Sequence, residues 1–250
     1  MSDSNHLGAV LKQFRKSKGI TQQELELLIE AAPGHVSRIE SGTTNPTKET
    51  LIKIIKQLSL TEKEANSLLF FEMEELTESE IQRAVEDTQA YLSSSPYPAY
   101  LADDRFRVHN WNLPMLKLLG ADERYAQKFR GICSLAVLFS PDLPFRQSIP
   151  KDRFKTIGMH EIQYFLDEIH YDLKKEMKWV CELILVLTKF PDFNDIWEQA
   201  QYNYRRGLEP GENIIYFNVS GKTEKFFMSV IKQTAHPRFR IVEYLPQNNG

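Results

Sequence analysis

His160-Glu161 sits in a helical pattern and looks like the start of a zinc-protease helix. That helix needs a second histidine four residues on, so that two imidazoles share one face. Position 164 is a tyrosine, and the pair therefore carries no metal chemistry. His109, His160, His170 and His236 are scattered, and no spaced Cys/His quartet, phosphate-binding glycine loop or nucleophile elbow occurs. Cys133 and Cys181 are far apart in apolar surroundings, which reads as two buried thiols in a reducing compartment. Aspartates and glutamates are plentiful, but none can be paired without a fold. The expectation is a protein that binds rather than catalyses, with no catalytic residue and no metal.

The first elements to position are helices. Leu7, Val10, Leu11 and Phe14 recur at helical spacing, and Gly19 ends that run. Thr21 with Glu24 three residues on forms a capping box, opening a second helix that buries Leu25, Leu28 and Ile29. Pro33 suits the first turn of a third helix through Val36, Ile39 and Glu40, stopping near Gly42. The loop 43–47 leads to a fourth helix with Leu51, Ile54, Ile55 and Leu58 inward. Thr61 with Glu64 caps a fifth that runs to about Phe71.

The string Ile20-Thr21-Gln22-Gln23-Glu24-Leu25, then Val36-Ser37-Arg38-Ile39-Glu40-Ser41-Gly42, then Asn45-Pro46 and Leu51, resembles the XRE family, the Cro and phage-repressor type of helix-turn-helix. The resemblance implies that Thr21 and Gln22 clasp a phosphate and that the third helix enters the major groove of double-stranded DNA. On that mapping Gly34, His35, Ser37 and Arg38 are exposed to the bases. Arg38 can contact guanine with two bonds. Thr43, Thr44, Asn45 and Lys48 would meet the backbone. The chain departs from the pattern at Glu26, where a small residue is usual, and at Glu30, where glycine is usual. Glu30 in the turn would force a positive φ on a residue with a Cβ.

The net charge of −3 is unevenly distributed. Residues 1–70 carry nine Lys/Arg and eight Asp/Glu. Residues 71–95 carry one arginine and seven acids, and residues 96–250 carry 21 bases and 19 acids. A nearly neutral DNA-binding domain has modest non-specific affinity, so dimerisation or a favourable local charge layout must compensate. No apolar run reaches the roughly 18–20 residues of a membrane span, and nothing reads as a secretory signal. The expected location is the cytoplasm, with no membrane partner.

From Thr77 to Ser93, Ile81, Ala84, Val85, Thr88, Tyr91 and Leu92 make one apolar stripe, ended by Ser93-Ser94-Ser95-Pro96. Two readings stand for it: a helix packed on its own domain, or a seam between two subunits. Beyond it the period changes. Tyr97–Ala102 and Phe106–Trp111 read as strands, Leu113–Leu119 and Tyr125–Phe139 as helices, and 143–157 as irregular. Helical patterns follow at Met159–Leu173, Lys174–Lys189 and Phe193–Tyr204, then strands at Asn213–Val219, Lys225–Gln233 and Arg238–Leu245. The fold class is α+β: an all-α five-helix domain (1–72), an amphipathic linker helix (73–95), and a PAS-like antiparallel five-stranded sheet with helices (96–250).

The stretches Pro98–Asp103 through Val108–Asn112, Leu138-Phe139-Ser140-Pro141, and Phe190-Pro191-Asp192-Phe193 with Ile196-Trp197 resemble the ligand-binding domain of MmyB-like regulators. The resemblance implies a sensor with a pocket between sheet and helices for a long apolar ligand such as a fatty acid, and no other cofactor. Tyr100, Trp111, Met115, Leu116, Phe139, Trp197, Phe217 and Phe227 are large apolar groups able to line such a pocket, with Asn112 supplying a polar contact. The same residues can also be plain core. The functional expectation is a homodimeric, ligand-responsive transcription regulator. The alternative is an antitoxin-like regulator whose second domain binds a partner protein.

Overall fold

A computed structural model describes residues 4–61, 64, 65, 68, 75–169, 171, 177–208 and 213–247, with backbone alone at 4–6 and 48. The backbone divides into two compact units, 1–75 with 169–180, and 76–168 with 181–250.

The first unit is helical: α1 (Ser4–Ser17), α2 (Gln22–Leu28), α3 (His35–Glu40) and α4 (Lys48–Gln57). Residues 64, 65 and 68 are also helical, and the rest of the expected fifth helix, apart from its Thr61 cap, lies outside the described residues. Leu7, Val10, Leu11 and Phe14 of α1 pack with Leu25, Ile29, Val36, Ile39, Ile54, Leu58 and Leu68 into one core. Both expected capping boxes are present, Thr21 with Glu24 and Thr61 with Glu64. Leu28 is the exception to the expected inward face and is 44% exposed. Gly8 permits α1 to lie directly on the end of α3, because a Cβ there would overlap the Ile39 and Glu40 carbonyl oxygens. The third helix opens at His35, two residues later than expected. Pro33 lies in the turn before it, and Gly34, at φ 77°, is its N-cap.

The second unit begins with α5 (Glu78–Ser94), capped by Thr77 and Glu80, and then a sheet of β1 (Ala99–Asp103), β2 (Val108–Trp111), β3 (Ile214–Val219), β4 (Lys222–Lys232) and β5 (Phe239–Pro246). All pairings are antiparallel and the order is β2-β1-β5-β4-β3. Between β2 and β3 come α6 (Leu113–Leu119), α7 (Glu123–Ala126), a short 3-10 turn, α8 (Ser134–Phe139), α9 (Pro144–Ser148), α10 (Phe154–Glu168), α11 (Lys178–Leu187) and α12 (Phe193–Arg205). The stretch expected as one helix over 125–139 is broken at Gly131 (φ 77°), where the chain bridges to the edge of β2 at Arg107 and Cys133. The stretch expected as irregular, 143–157, contains α9 and the first turn of α10. Pro144 stands in the first turn of α9, where a missing N–H costs nothing.

Strand alternation assigns the two faces of the sheet. Ala99, Leu101, Phe239 and Ile241 pack with Leu76, Ala84 and Leu92, with Ile81 and Val85 alongside, so the stripe of α5 is buried on its own unit. The other face carries Tyr100, Phe217, Phe226, Met228, Val242 and Tyr244, all buried. Of the two cysteines, Cys133 is buried as expected, whereas Cys181 is exposed on α11.

Candidate functional site

In the first unit the turn between α2 and α3 is held by three buried polar groups. Glu40 of α3 accepts from Arg15 Nε at 2.6 Å and Nη2 at 2.9 Å, and Arg15 Nη1 donates to the Ile20 carbonyl at 2.7 Å. Both side chains are nearly sealed from solvent, where an ion pair stands only if its remaining donors and acceptors are also met. The pair meets that demand, since Glu40 Oε2 also accepts from Gln22 Nε2 at 2.6 Å. A single network thus ties α1, α2 and α3.

Glu26 is the third group. It is 6% exposed, and its Oε1 accepts the Val36 N–H at 2.9 Å. Gly34 has no side chain to cap α3, so a carboxylate from α2 caps it across the turn. The departure from the family pattern at Glu26 therefore has a structural purpose that the sequence signalled only as an anomaly. Glu30 has the expected positive φ, 56°. The left-handed residue leaves the chain free to bond the Ala31 N–H back to the Glu26 carbonyl at 2.9 Å.

This frame presents a polar outer face. Thr21 is exposed, and its hydroxyl accepts the Glu24 N–H at 3.2 Å. The Thr21 N–H bond in return holds the Glu24 carboxyl below its usual range, so it stays ionised beside Thr21. One Gln22 N–H is fixed by Glu40, which aims the second. On α3, Val36, Ile39 and Glu40 face inward, Ser37 and Arg38 are exposed, and His35 is half-buried. His35 and Arg38 are three apart and share a strip of the helix. Gly34 is exposed at its start. Arg38 is the sole Lys or Arg between Gly19 and Thr47.

The loop after α3 folds back on it. The Thr43 and Thr44 N–H groups donate to the Arg38 carbonyl at 2.9 and 3.2 Å, and Ser41 and Thr43 hydroxyls lie 2.8 Å apart. Those two amides are therefore committed to the loop. Thr43 and Asn45 are exposed and Thr44 is half-buried, while the Lys48 side chain lies outside what is described.

In the second unit, Tyr100, Trp111, Met115 and Leu116 line a common cavity of about 50 Å³ between the sheet and α6–α10. Val108, Leu119, Phe129, Leu138, Phe145, Glu161 and Tyr244 complete much of its wall. The remaining expected residues lie elsewhere. Phe139 packs on Phe154 and Phe193, with ring centroids 5.4 and 5.2 Å away, and Trp197 stacks on Phe193 at 5.3 Å. These form a separate aromatic core among α8, α10 and α12. Phe217 is fully buried against Phe145, Phe226 and Tyr244. Phe227 points to the opposite face and is 39% exposed, because Phe226 and Met228 take the inward register.

Asn112 caps α6. Its Oδ1 accepts the Met115 and Ala99 N–H groups, each at 3.0 Å, and its Nδ2 donates to the Tyr97 carbonyl at 2.7 Å. Its side chain is occupied in joining β1 to α6. Of the polar residues on the cavity wall, Ser134, Glu161 and Tyr244 carried no sequence signal, because only the folded register brings them together. Burial pushes the Tyr100 and Tyr244 hydroxyls well up, so both keep their protons.

Elsewhere in this unit Asp103 is sealed from solvent. It accepts from His109 Nε2 at 2.9 Å, from Arg107 Nε at 2.7 Å and from the Arg105 and Arg107 N–H groups. Burial alone would raise its pKa, but these bonds together outweigh it and hold the carboxyl below its ordinary 3.8. Among the described residues no group of three His, Cys, Asp or Glu could hold a metal ion, and no helix is long and apolar enough to cross a membrane.

Comparison with known proteins bears on the first unit. Residues 11–64 match the Helix-turn-helix family model. A stretch of 62 residues, 24% of the chain, is 39% identical to a protein described as an uncharacterized HTH-type transcriptional regulator of Haemophilus influenzae, and covers 63% of that protein. The matched residues contain the Arg15–Glu40–Gln22 network and the α2–α3 turn, and they make the N-terminal region of this chain an XRE-type helix-turn-helix.

Proposed function

We propose that this chain is a sequence-specific, DNA-binding transcription regulator, acting as a homodimer. Residues 1–72 bind DNA, 73–95 are the linker that contains α5, and 96–250 respond to a small ligand. The observation that carries the reading is the outer face of α2 and α3, where Thr21, Gln22, Ser37 and Arg38 project from a turn fixed by buried ion pairing. Thr21 and Gln22 hold a phosphate, Arg38 reads guanine with His35 and Ser37 beside it, and Thr43, Thr44, Asn45 and Lys48 flank the backbone. With Pro33 and Gly34 at the front of α3, few donors reach the bases, and part of the selectivity comes from DNA shape.

Gel-shift titration of the purified full chain against DNA upstream of its own gene, at two salt concentrations, tests this. Salt-sensitive, sequence-selective binding is expected. Arg38→Ala should lower discrimination at a single base pair by about 1–3 kcal/mol. Binding that ignores sequence would refute the reading.

The ligand-responsive part rests on the cavity under the sheet, on the arrangement of two strands, a helical block and three strands, and on the MmyB-like resemblance, which implied a sensor. A volume of about 50 Å³ does not enclose a fatty-acid chain unless side chains move. A partner-protein reading draws on Leu185 and Val186 of α11, 65% and 44% exposed, and on Tyr202 of α12, 57% exposed. Native mass spectrometry of the purified protein separates the two: a co-purifying small molecule favours the sensor, and a co-purifying polypeptide favours the partner.

A further inference from the structure

Eight of the ten residues of α11 are apolar, and burial accounts for only part of them. Val180 and Leu187, seven residues apart, are fully buried, and Leu183 and Ile184 are half-buried. The opposite side carries Cys181, Glu182, Leu185 and Val186, all exposed, Leu185 at 65% and Val186 at 44%. Spacings of three and four residues put these four on one strip. Lys189, also exposed, extends it, because the Thr188 and Lys189 N–H groups still donate backward, to the Ile184 and Val186 carbonyls at 2.9 and 3.2 Å. The strip lies wholly within 181–250 of the second unit. A surface helix turns its apolar stripe toward a core; one that keeps a second apolar strip outward offers a surface for another molecule to cover.

The strip is complementary to itself. Glu182 stands about one turn before the Leu185–Val186 pair and Lys189 about one turn after it, so its two ends carry opposite charge. Two copies laid antiparallel, about a two-fold axis passing between Leu185 and Val186, set those apolar side chains against each other. The same operation brings each Glu182 level with Lys189 of the second copy. A parallel pair would instead put Glu182 on Glu182 and Lys189 on Lys189, which repel. The order of charges therefore selects the antiparallel pair. The stripe of α5, which the sequence offered as a subunit seam, is already buried on its own unit.

From this we infer that the outer strip of α11 is the seam between two copies of this chain, antiparallel, with Leu185 and Val186 at its centre and Glu182–Lys189 pairs at its rim. The inference rests on the homodimer reading and names the surface that reading lacks. The strip offers about five residues a side, where a stable interface has roughly 20–30. The dimer is accordingly weak and parts on dilution. Two half-sites on one DNA hold the two copies together at high effective concentration, so the seam adds cooperativity to binding by a nearly neutral helix-turn-helix.

The test is sedimentation velocity of the full-length protein over a wide range of concentration, which should show monomer and dimer in exchange. Leu185→Asp should weaken the dimer at least about tenfold without changing the thermal melt, because the site is exposed in the monomer. Glu182→Lys should weaken it too, and adding Lys189→Glu should restore it. Orientation is read by mild oxidation. Antiparallel pairing keeps the two Cys181 residues roughly 13 Å apart along the seam, too far for a disulfide, whereas Leu185→Cys in a Cys181→Ser background should cross-link. A dimer that survives Leu185→Asp overturns the seam and leaves the homodimer reading standing. Cross-linking through Cys181, or a charge exchange that fails to restore the dimer, overturns the antiparallel pair. A different polypeptide that co-purifies and is released by Leu185→Asp overturns the seam in favour of a foreign protein. A monomer at every concentration that also binds DNA as a single copy overturns both readings.

Discussion

The two units put their buried carboxylates to different use. In the helix-turn-helix, Glu40 is answered on both oxygens by Arg15 and Gln22, and Glu26 accepts the Val36 N–H across the turn. They make a stiff frame whose working groups point outward. In the sheet unit Asp103 gathers His109, Arg107 and two backbone N–H groups around the β1–β2 turn, and Glu161, paired with His160, stands on the wall of the cavity. A satisfied buried charge positions its neighbours: Glu40 locks the helices of the first unit, and Asp103 locks the hairpin turn of the second.

The largest expected effect breaks the first half of this contrast. Arg15→Met leaves Glu40 buried without its counter-charge, and the N-terminal unit should lose about 3–5 kcal/mol. Urea unfolding of the full chain, followed by circular dichroism of the helices, would show an early transition. If the variant melts like the parent, the network is not the frame described.

The second effect, of about 3–5 kcal/mol, concerns the inward register of β4. Phe226→Ala should cost that much in chemical unfolding, since it empties a buried aromatic site beside Phe217.

A third effect follows from Asp103. Its folded pKa lies below its unfolded one, so its contribution to stability is complete above the unfolded value and is lost as pH falls through the folded value. The sheet unit should therefore weaken below about pH 4. Asp103→Asn should flatten that part of the pH dependence in thermal melts.

The smallest effect completes the register test. Phe227→Ser, one residue from the costly site, should change stability by less than about 0.5 kcal/mol. A large loss there would reverse the assignment of faces.

The legibility of the two units differed for the same physical reason. Helix spacing, capping boxes and the Thr21–Gly42 string are local, so the turn, the exposed face of α3 and the strain at Glu30 could all be read along the chain. The start of α3 was placed two residues early because Pro33 fits both a first helical turn and the turn preceding it. In the sheet unit the strands were readable, but not which face each residue takes. Phe226 and Phe227 are both strand formers, and a shift of one residue exchanges core for surface. Phe139 and Trp197 are apolar enough for a pocket wall, but α10 and α12 draw them into a different cluster.

The sequence by itself determined that residues 20–42 form a helix-turn-helix with one cation on its outer face, because that motif is written in contiguous residues and helical periods. Only the tertiary structure decided that Glu26 caps α3, that Glu40 aims Gln22, and that Glu161 meets Tyr100 and Tyr244 at a cavity. Those groups lie 10 to more than 80 residues apart. Local periodicity cannot specify such contacts; packing and the pairing register of the strands do.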